Sequence, residues 1–489
     1  MLTVAAPPAG HLLAEAAYPE AKWIYFSLLD DAPDELALVR SRFYLARQLD
    51  AAKKFDADVP QHLDALSSWI DANTRHVGFQ YGQYLKSRKA GAARRYFTNK
   101  SHALYFLKSV APTKLVDGAW LYGLVRYWRD ERFSALIRIY LEELGEGIPE
   151  KNHVVIFRKL VAAHGCDQWK KLSNTRYVQG AIQLSLAHHA ADFLPETIGF
   201  NLGYEQLPLH LLICAYELNE LGIDPYYFTL HVTVDNAASG HARQALQGLF
   251  DALPGIPDRK KFFQRVINGY KLNLLGASTN SIIEEFDLRK ELLAVFATKR
   301  AAGAQMHSDY CRIAGKTVNQ WLSDPANLPA FLDALEQTGW IKRHRDPENS
   351  RFWKLMHGEH AEMFGVFNAY ERQVVYDWIA GDSASVQSHQ LTYKAARRRL
   401  DIVERDTAAR RHSNARQGVI RNHLFCPGDG AAQQNDFNME LRLLEEQLAS
   451  FSSKDAAMTL LTRLMSPANH HTSLGLMATR IFTTWFNAA

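Results

Sequence analysis

The stretch 204–241 most constrains how this chain can fold, because it places acidic and histidine side chains within apolar helical sequence. Glu205 stands at the head of an apolar helical run, and His231, Asp235 and His241 follow a Gly-Ile-Asp-Pro break. On a helix, side chains four residues apart leave the same face about one turn apart, so His231 and Asp235 can reach one metal ion. The stretch therefore predicts helices packed around a buried polar site.

A second pair of candidates, Glu143 and His153, flanks a Gly-Glu-Gly-Ile-Pro break between two amphipathic helical patterns. On one unbroken helix these side chains would lie about 15 Å apart, too far to share an ion. Glycine and proline allow the chain to bend at the break, so both side chains can approach one point. Taken separately, a surface charge at a helix end and an ordinary helix cap are the alternatives for this pair.

Three carboxylates and three imidazoles therefore form the candidate ligand set: Glu143, His153, Glu205, His231, Asp235 and His241. Carboxylates that can bridge, combined with imidazoles on helices, suit two iron ions in a helical bundle. Zinc usually takes fewer ligands in a tighter local motif. The alternative is that each polar group is satisfied separately within the core.

Composition bears on several other classes of protein. The 56 Lys and Arg against 52 Asp and Glu leave a net charge of +4, so bulk charge gives no reason to expect a nucleic-acid partner. The cysteines at 166, 214, 311 and 426 form no C-x-x-C pair, which argues against a disulfide framework, a zinc ribbon or an iron–sulfur cluster. The start of the chain lacks a signal-peptide pattern, and the apolar run 207–216 is too short to span a bilayer. We expect a cytoplasmic protein without a membrane partner.

At 489 residues the chain is longer than one hydrophobic core usually organises, so several domains are expected. Apolar residues recur at intervals of three and four, which predicts a mainly α protein. The predicted divisions are an N-terminal helical region at 1–95, a helical bundle at 96–300, a winged-helix-like module at 301–367 and a C-terminal helical region at 368–489.

The winged-helix-like α+β module rests on two predicted helices, 307–322 and 328–337, followed by a hairpin around the turn Asp-Pro-Glu-Asn. Such modules often bind DNA and also serve as packing units. A DNA-binding or regulatory protein that uses Lys342, Arg343 and Arg345 is therefore the alternative function.

Several motifs in order resemble the iron-containing redox enzymes of the haem-oxygenase-like diiron oxidase superfamily. They are Glu-Glu-Leu-Gly-x-Gly before His153, Asn-Leu-Gly-Tyr before Glu205, and His231-Val-Thr-Val-Asp235 followed by Gly-His241. The runs LVDGAWL at 115–121 and PLHLL at 208–212 are similar to a long-chain branch of that superfamily. The resemblance covers about residues 97–253 with specific motifs. It implies a haem-oxygenase-like bundle of seven helices, with the six candidates as ligands of two Fe(II) ions and O2 as co-substrate.

The resemblance also implies a function. Members of that superfamily are non-haem diiron oxidases or oxygenases that perform N-oxygenation, desaturation or carbon–carbon cleavage on amines, amino acids or fatty acids. We therefore expect an iron- and O2-dependent oxidoreductase with a small-molecule substrate. An electron donor and a homodimer are left open as partners. A metal-free or haem-binding member of the same architecture is the other alternative, and the carboxylates Glu205 and Asp235 count against it, because haem needs one axial histidine and gains nothing from carboxylates.

The last histidine departs from the pattern of the superfamily, which more often has it three residues after the aspartate. Here that position is Ala238, and His241 lies out of phase with Asp235 on a regular helix. The resemblance therefore implies His241 as a ligand only if Ser239 and Gly240 distort the helix.

Overall fold

The structure is a computed structural model, and it describes residues 20–234, 240–303, 307–308, 310–358, 361–381 and 431–488. Within these ranges nearly all regular structure is helical. The strands there are β1 (Arg312–Ile313) and β2 (Lys316–Thr317), which pair antiparallel. The prediction of a mainly α fold is confirmed.

The α-helices up to residue 271 are Glu20–Leu28 (α1), Glu35–Ala52 (α2), Leu66–Lys89 (α3), Lys100–Lys114 (α4), Ser134–Glu143 (α5), His153–Ala163 (α6), Val178–His189 (α7), Leu194–Tyr204 (α8), Leu209–Glu220 (α9), Tyr226–Val234 (α10), His241–Asp251 (α11) and Arg259–Lys271 (α12). The later ones are Thr279–Glu284 (α13), Leu288–Gly303 (α14), Val318–Leu322 (α15), Leu328–Gln337 (α16), Arg351–Met356 (α17), Ala369–Ala380 (α18), Ala431–Ser450 (α19), Lys454–Leu464 (α20) and Ser473–Asn487 (α21). Short 3-10 segments are Leu63–Ala65, Ala119–Tyr127, Glu131–Phe133, Gly145–Gly147, Asp167–Lys171, Asn174–Tyr177, Leu272–Leu274, Pro325–Asn327 and Pro347–Asn349.

Side-chain caps fix where several helices begin. Asp34, Asn99 and Asn152 each accept a hydrogen bond from the backbone N–H three residues on, at the starts of α2, α4 and α6. A polar cap satisfies an N–H group that has no partner within the helix and stabilises the helix by about 1 kcal/mol. The cap at Asn152 sets the start of α6 at His153.

Helices α8 and α12 approach each other closely, and this contact positions the C-terminal end of α8. A Cβ atom on Gly199 would lie 1.8 Å from the carbonyl oxygen of Val266, and one on Gly269 would lie 2.1 Å from that of Glu196. Only glycine permits such an approach of two backbones. Arg265 closes the contact with hydrogen bonds of 2.6 and 2.7 Å to the Glu196 carboxylate. The residue that follows α8 is Glu205, so the contact also places a candidate ligand.

One continuous cluster of buried apolar side chains runs through the described part of the chain. It includes Ile24 of α1, Phe157 of α6, Val374 of α18 and Phe482 of α21. The C-terminal helices α20 and α21 therefore share a core with the helices that carry the candidate ligands. The core is continuous across the domain boundaries predicted near residues 95, 300 and 367, and those boundaries stay predictions.

The region 307–356 differs from the predicted winged-helix outline. The helix predicted over 307–322 is wrong, because β1 and β2 form a short hairpin there and only α15 is helical. The hairpin predicted around Asp-Pro-Glu-Asn is also wrong, because α17 occupies its second half. A strand would point Phe352 and Trp353 to opposite faces, whereas the helix buries both of them together with Met356. The helix predicted over 328–337 is confirmed as α16.

The basic residues of this region are partly used within the protein itself. The guanidinium group of Arg343 lies 3.7 Å from the centre of the Trp378 ring and 3.4 Å from the Glu336 carboxylate. An arginine held in this way is less able to contact a DNA phosphate. Lys342 and Arg345 are exposed, so the DNA-binding alternative stays a prediction.

Among the described residues, none of the helices combines the length and the apolar character needed to cross a bilayer. Cys166, Cys214 and Cys311 are free cysteines. Cys426 lies outside the described residues.

Candidate metal centre

Glu143 and His153 stand at the two ends of a tight connection. Glu143 is the last residue of α5, and His153 is the first residue of α6. Between them Gly145, Glu146 and Gly147 have φ angles of 63°, 52° and 79°, a region of backbone conformation that favours glycine. The chain therefore folds back, and Oε2 of Glu143 lies 2.6 Å from Nδ1 of His153. The bend predicted from the sequence is confirmed.

Four buried side chains form the first group, which comprises Asp117, Glu143, His153 and His231. One potential ligand atom of each lies within 4.8 Å of the others. These residues are 1%, 3%, 1% and 7% exposed, in that order. Asp117 comes from the turn after α4, and His231 comes from α10. Four separate segments of the chain thus bring two carboxylates and two imidazoles to one point.

The second group comprises Glu143, Glu205 and His241, and it shares Glu143 with the first. Nδ1 of His241 lies 3.0 Å from Oε2 of Glu205 and 3.4 Å from Oε1 of Glu143. The two carboxylate oxygens of Glu143 therefore face different groups, Oε2 toward His153 and Oε1 toward His241. This is the arrangement of a carboxylate able to bridge two ions.

Several ligand atoms are buried without a hydrogen-bond partner within the described part of the chain: Asp117 Oδ1, Glu143 Oε2, His153 Nδ1 and Glu205 Oε1. Although Glu143 Oε2 and His153 Nδ1 are only 2.6 Å apart, they lack the alignment of a hydrogen bond. A buried polar atom left without a partner costs about 1–3 kcal/mol. Cations among these oxygen and nitrogen atoms would satisfy them, and the mixed donor set fits iron.

The orientation of His231 also fits a metal ligand. Its Nδ1 lies 2.8 Å from the carbonyl oxygen of Tyr227. A carbonyl only accepts, so Nδ1 carries the proton. Burial and the charge of His153 lower the pKa of His231, and its Nε2 lies 3.3 Å from Oδ2 of Asp117, so this nitrogen faces the other candidate ligands. A histidine whose second nitrogen donates to a carbonyl is the common arrangement of a metal-bound imidazole.

His241 lies among three carboxylates. Besides its contacts with Glu205 and Glu143, its Nε2 lies 2.8 Å from Oε2 of Glu142. Burial alone lowers the pKa of His241, but the charge of Glu205 and the hydrogen bonds that His241 donates to all three carboxylates outweigh burial and raise this pKa well above its ordinary value. In the metal-free protein His241 is therefore protonated at neutral pH.

The two carboxylates of the second group have opposite pKa shifts. Burial raises the pKa of Glu205 to about 6, with the charges of Glu143 and Asp117 acting in the same direction and His241 opposing them. Burial would also raise the pKa of Glu143, but His153 and His241 hold it well below its ordinary value. The shared carboxylate is thus ionised throughout the physiological range.

The two groups bring together five of the six side chains predicted from the sequence. These are Glu143, His153, Glu205, His231 and His241. The sixth, Asp235, lies outside the described residues.

Two details of the sequence prediction are wrong. Glu205 does not head the apolar helix, because it is the C-terminal cap of α8 and the next helix, α9, begins at Leu209. His241 does not continue the helix of His231, because Gly240 is extended and His241 begins α11. The period of one helix therefore does not govern where His241 lies relative to His231.

Asp117 is absent from the set predicted from the sequence. The signal for it lay in the run LVDGAWL, where one carboxylate interrupts an apolar stretch. Gly118, which follows it, has a φ of 78°, and a Cβ atom there would lie 2.7 Å from Cβ of Glu143. Asp117 thus supplies one carboxylate, and Gly118, which has no side chain, leaves space for the Glu143 side chain.

A polar cluster extends from Asp117 away from the ligands. The hydroxyl of Tyr227 donates a hydrogen bond to Oδ2 of Asp117. Nζ of Lys114 lies 3.8 Å from the same oxygen and donates to the Tyr204 hydroxyl at 3.0 Å. Burial would raise the pKa of Asp117, but Lys114 and His231 lower it, so this carboxyl group is ionised.

A cavity of about 450 Å³ lies beside the first group, between α6 and α10. Ile156, Leu160 and Ala163 of α6 form an apolar wall, and Lys159 lies at its rim. Tyr227 is one of the residues that line the cavity, and its hydroxyl donates a hydrogen bond to Asp117. The cavity therefore extends to a residue that contacts one of the candidate ligands.

The sequence was compared with models of known protein families. Residues 104–273 match the sequence model of a family described as iron-containing redox enzyme, and this span contains all residues of the two groups. No match to the chain was found among curated proteins or solved structures. Residues 104–273 are therefore similar to the iron-containing redox enzymes, an oxidoreductase family with the haem-oxygenase-like helical fold.

Proposed function

We propose that the protein is a non-haem diiron oxidase or oxygenase, which binds two Fe(II) ions in the two groups and uses O2 to oxidise a small organic substrate. The observation that carries the proposal is the pair of buried carboxylate and imidazole groups that share Glu143. The family match over the same residues supports iron as the metal.

Each group has the residues for one ion. Asp117, His153 and His231 would hold one ion, Glu205 and His241 the other, and Glu143 would bridge them. Bound there, two ferrous ions would supply the electrons and the open ligand positions with which O2 is activated. Asp235 is the further ligand expected from the family resemblance, and it lies outside the described residues.

We assign proton delivery to the groups around Asp117. The Tyr227 hydroxyl donates to this carboxylate, and the Lys114 ammonium lies close to the same oxygen. Both groups hold exchangeable protons beside the candidate ligands, where close packing limits the access of water. Reduction of O2 consumes protons, and groups that hold protons at the site can supply them.

We assign the substrate to the cavity between α6 and α10. Its volume of about 450 Å³ is within the range of pockets that enclose small molecules. Its wall of Ile156, Leu160 and Ala163 suits an apolar portion of the substrate, and Lys159 and Glu150 at the rim suit polar ends. N-oxygenation, desaturation and carbon–carbon cleavage of an amine, amino acid or fatty acid are the reactions under this proposal.

Metal titration tests the proposal. The purified chain, loaded with Fe(II) without oxygen, is expected to bind two ions and then to consume O2 on exposure to air. His231→Ala is expected to retain only the ion of the second group, and His241→Ala only that of the first, because each removes a ligand that belongs to one group. Iron per chain after gel filtration measures the outcome.

An exposed histidine provides the control for this titration. His76→Ala, on the exposed side of α3, is expected to bind iron like the unaltered chain. If the unaltered chain binds no iron, or if both ligand variants retain two ions, the proposal is wrong.

Metal binding at neutral pH is expected to release protons. The pKa of His241 is raised well above its ordinary value in the metal-free protein, and a metal ion binds only the deprotonated nitrogen. The apparent affinity for Fe(II) should therefore fall as the pH is lowered, and further below about pH 6, where Glu205 also takes up a proton. Calorimetric titrations in buffers of different ionisation enthalpy measure the released protons. A heat of binding independent of the buffer would contradict this prediction.

A further inference from the structure

The C-terminal helices reach the connection that joins two candidate ligands. A Cβ atom on Gly147 would lie 2.3 Å from the carbonyl oxygen of Leu476, so α21 packs directly on the connection between Glu143 and His153. Arg480 of the same helix donates a hydrogen bond of 3.2 Å to the carbonyl of Gly147. The C-terminal region thus contacts the site from outside the span that matches the family.

Asn152, directly before His153, links the two ligand-bearing helices. Its Oδ1 accepts a hydrogen bond from the backbone N–H of Val155 at 3.0 Å, which caps α6. Its Nδ2 donates to the carbonyl of Leu144 at 3.1 Å, at the end of α5. One fully buried amide therefore holds the end of the helix that carries Glu143 against the start of the helix that begins at His153.

His470, in the connection between α20 and α21, sets the orientation of that amide. Its Nδ1 lies 3.2 Å from Nδ2 of Asn152. Because Oδ1 of Asn152 is occupied by an N–H donor, Nδ2 must donate, and Nδ1 of His470 accepts. His470 is only 2% exposed, and its backbone N–H donates to the carbonyl of Ser466 at 2.9 Å. The acceptor is therefore held in place by its own turn.

We propose that His470 is a positioning residue of the metal centre, which fixes the Asn152 amide and through it the spacing of Glu143 and His153. This inference rests on the proposed function. It gives the C-terminal helices a part in building the site, although they lie outside residues 104–273. Groups that orient metal ligands without touching the metal typically contribute 10–100-fold to metal affinity, which is about the effect expected here.

Fe(II) titration of the full-length chain tests the role of His470. His470→Leu removes the acceptor and is expected to weaken Fe(II) binding by about 10–100-fold. His470→Asn is expected to restore most of the affinity, since its Oδ1 stands at the same point of the side chain as Nδ1. The visible spectrum after loading with Co(II) should change in His470→Leu and return in His470→Asn, because it reports the geometry of the ligands.

The neighbouring histidine offers a matched control. His471→Leu removes an imidazole whose Nδ1 has no hydrogen-bond partner among the described residues, so Fe(II) affinity should be unchanged. If His470→Leu folds poorly, Asn152→Ser provides a second route, because serine can still cap α6 but cannot make both donor contacts. Combined with His470→Leu, it should weaken binding no further than Asn152→Ser alone.

The outcomes separate the two proposals. If the unaltered chain binds no Fe(II) or Co(II), the proposed function is wrong and the role of His470 falls with it. If the unaltered chain binds metal and His470→Leu binds equally well, or His471→Leu is weakened as much as His470→Leu, only the role of His470 is wrong.

Discussion

Replacement of Glu143 by glutamine is expected to abolish the binding of both metal ions, whereas loss of His231 or His241 removes one. The reason is geometric, since one oxygen of Glu143 faces His153 and the other faces His241. An amide keeps the shape of the side chain but offers one weak oxygen donor and places an NH2 group against the second group. O2 consumption should fall at least about hundredfold, as expected when both ions are lost.

The fold should survive this substitution. The imidazoles of His153 and His241 would no longer face an ionised Glu143, but a buried imidazole can lose its proton instead of forcing the chain to unfold. Circular dichroism and the midpoint of thermal unfolding of the metal-free chain check this point. Metal per chain, measured after anaerobic loading, then reports the ligand effect alone.

An exposed carboxylate just before α5 supplies the matched control. Glu131→Gln makes the same chemical change near the same helix, where the side chain faces solvent, and should leave metal content unchanged. If Glu143→Gln retained one full ion, the two groups would not depend on a shared carboxylate. The two-ion arrangement would then have to be replaced by two independent sites.

Most residues of this site could be predicted from the sequence, because local patterns show where ionisable side chains lie within apolar segments. Glu143 and His153 could be paired from the Gly-Glu-Gly-Ile-Pro break, since glycines with positive φ allow the chain to fold back there. Glu205 and His231 stood out as ionisable groups in apolar helical sequence, where burial is costly without a partner. These predictions depend only on residues that lie close to each candidate in the sequence.

The remaining features depend on tertiary contacts that no local pattern records. Asp117 lies in a turn, and its relation to His231 arises from the packing of α10 on the core. The position of His241 does not follow from the period of one helix, because His241 begins a new helix after an extended Gly240. His470 reaches Asn152 from the far end of the sequence. In each case the side chain contacts residues that lie far from it in the sequence, so only the packing of the folded chain brings them together.

The same limit explains the error at Arg351–Met356. The run Ser-Arg-Phe-Trp-Lys-Leu is rich in aromatic residues, as strands often are, and follows a turn motif. Its actual conformation is decided by the surface on which it packs, which buries Phe352, Trp353 and Met356 together. Short apolar runs are the cases in which helix and strand are hardest to separate.

The largest effect on stability is expected at Glu217, a fully buried carboxylate of α9. It accepts hydrogen bonds from the backbone N–H groups of Arg95, Tyr96 and Phe97 at 2.5, 3.0 and 2.9 Å, and from the Tyr84 hydroxyl at 2.8 Å. This one side chain therefore ties the loop before α4 to α9. Glu217→Ala leaves these donors without an acceptor, at about 1–3 kcal/mol for each one that stays buried.

Because some of these donors can reach water after the change, we expect Glu217→Ala to lower the free energy of unfolding by about 3–4 kcal/mol in total. Glu220→Ala, one turn further along α9, is the matched control, since Glu220 pairs with Arg88 at 2.7 Å in a partly exposed position and should contribute about 1 kcal/mol or less. Urea unfolding of the metal-free chain, followed by circular dichroism, compares the two. Equal losses would mean that the hydrogen bonds of Glu217 to the backbone add nothing beyond an ordinary ion pair. A loss confined to Glu217→Ala would show that buried donors without an acceptor, and not charge alone, decide the stability of this loop.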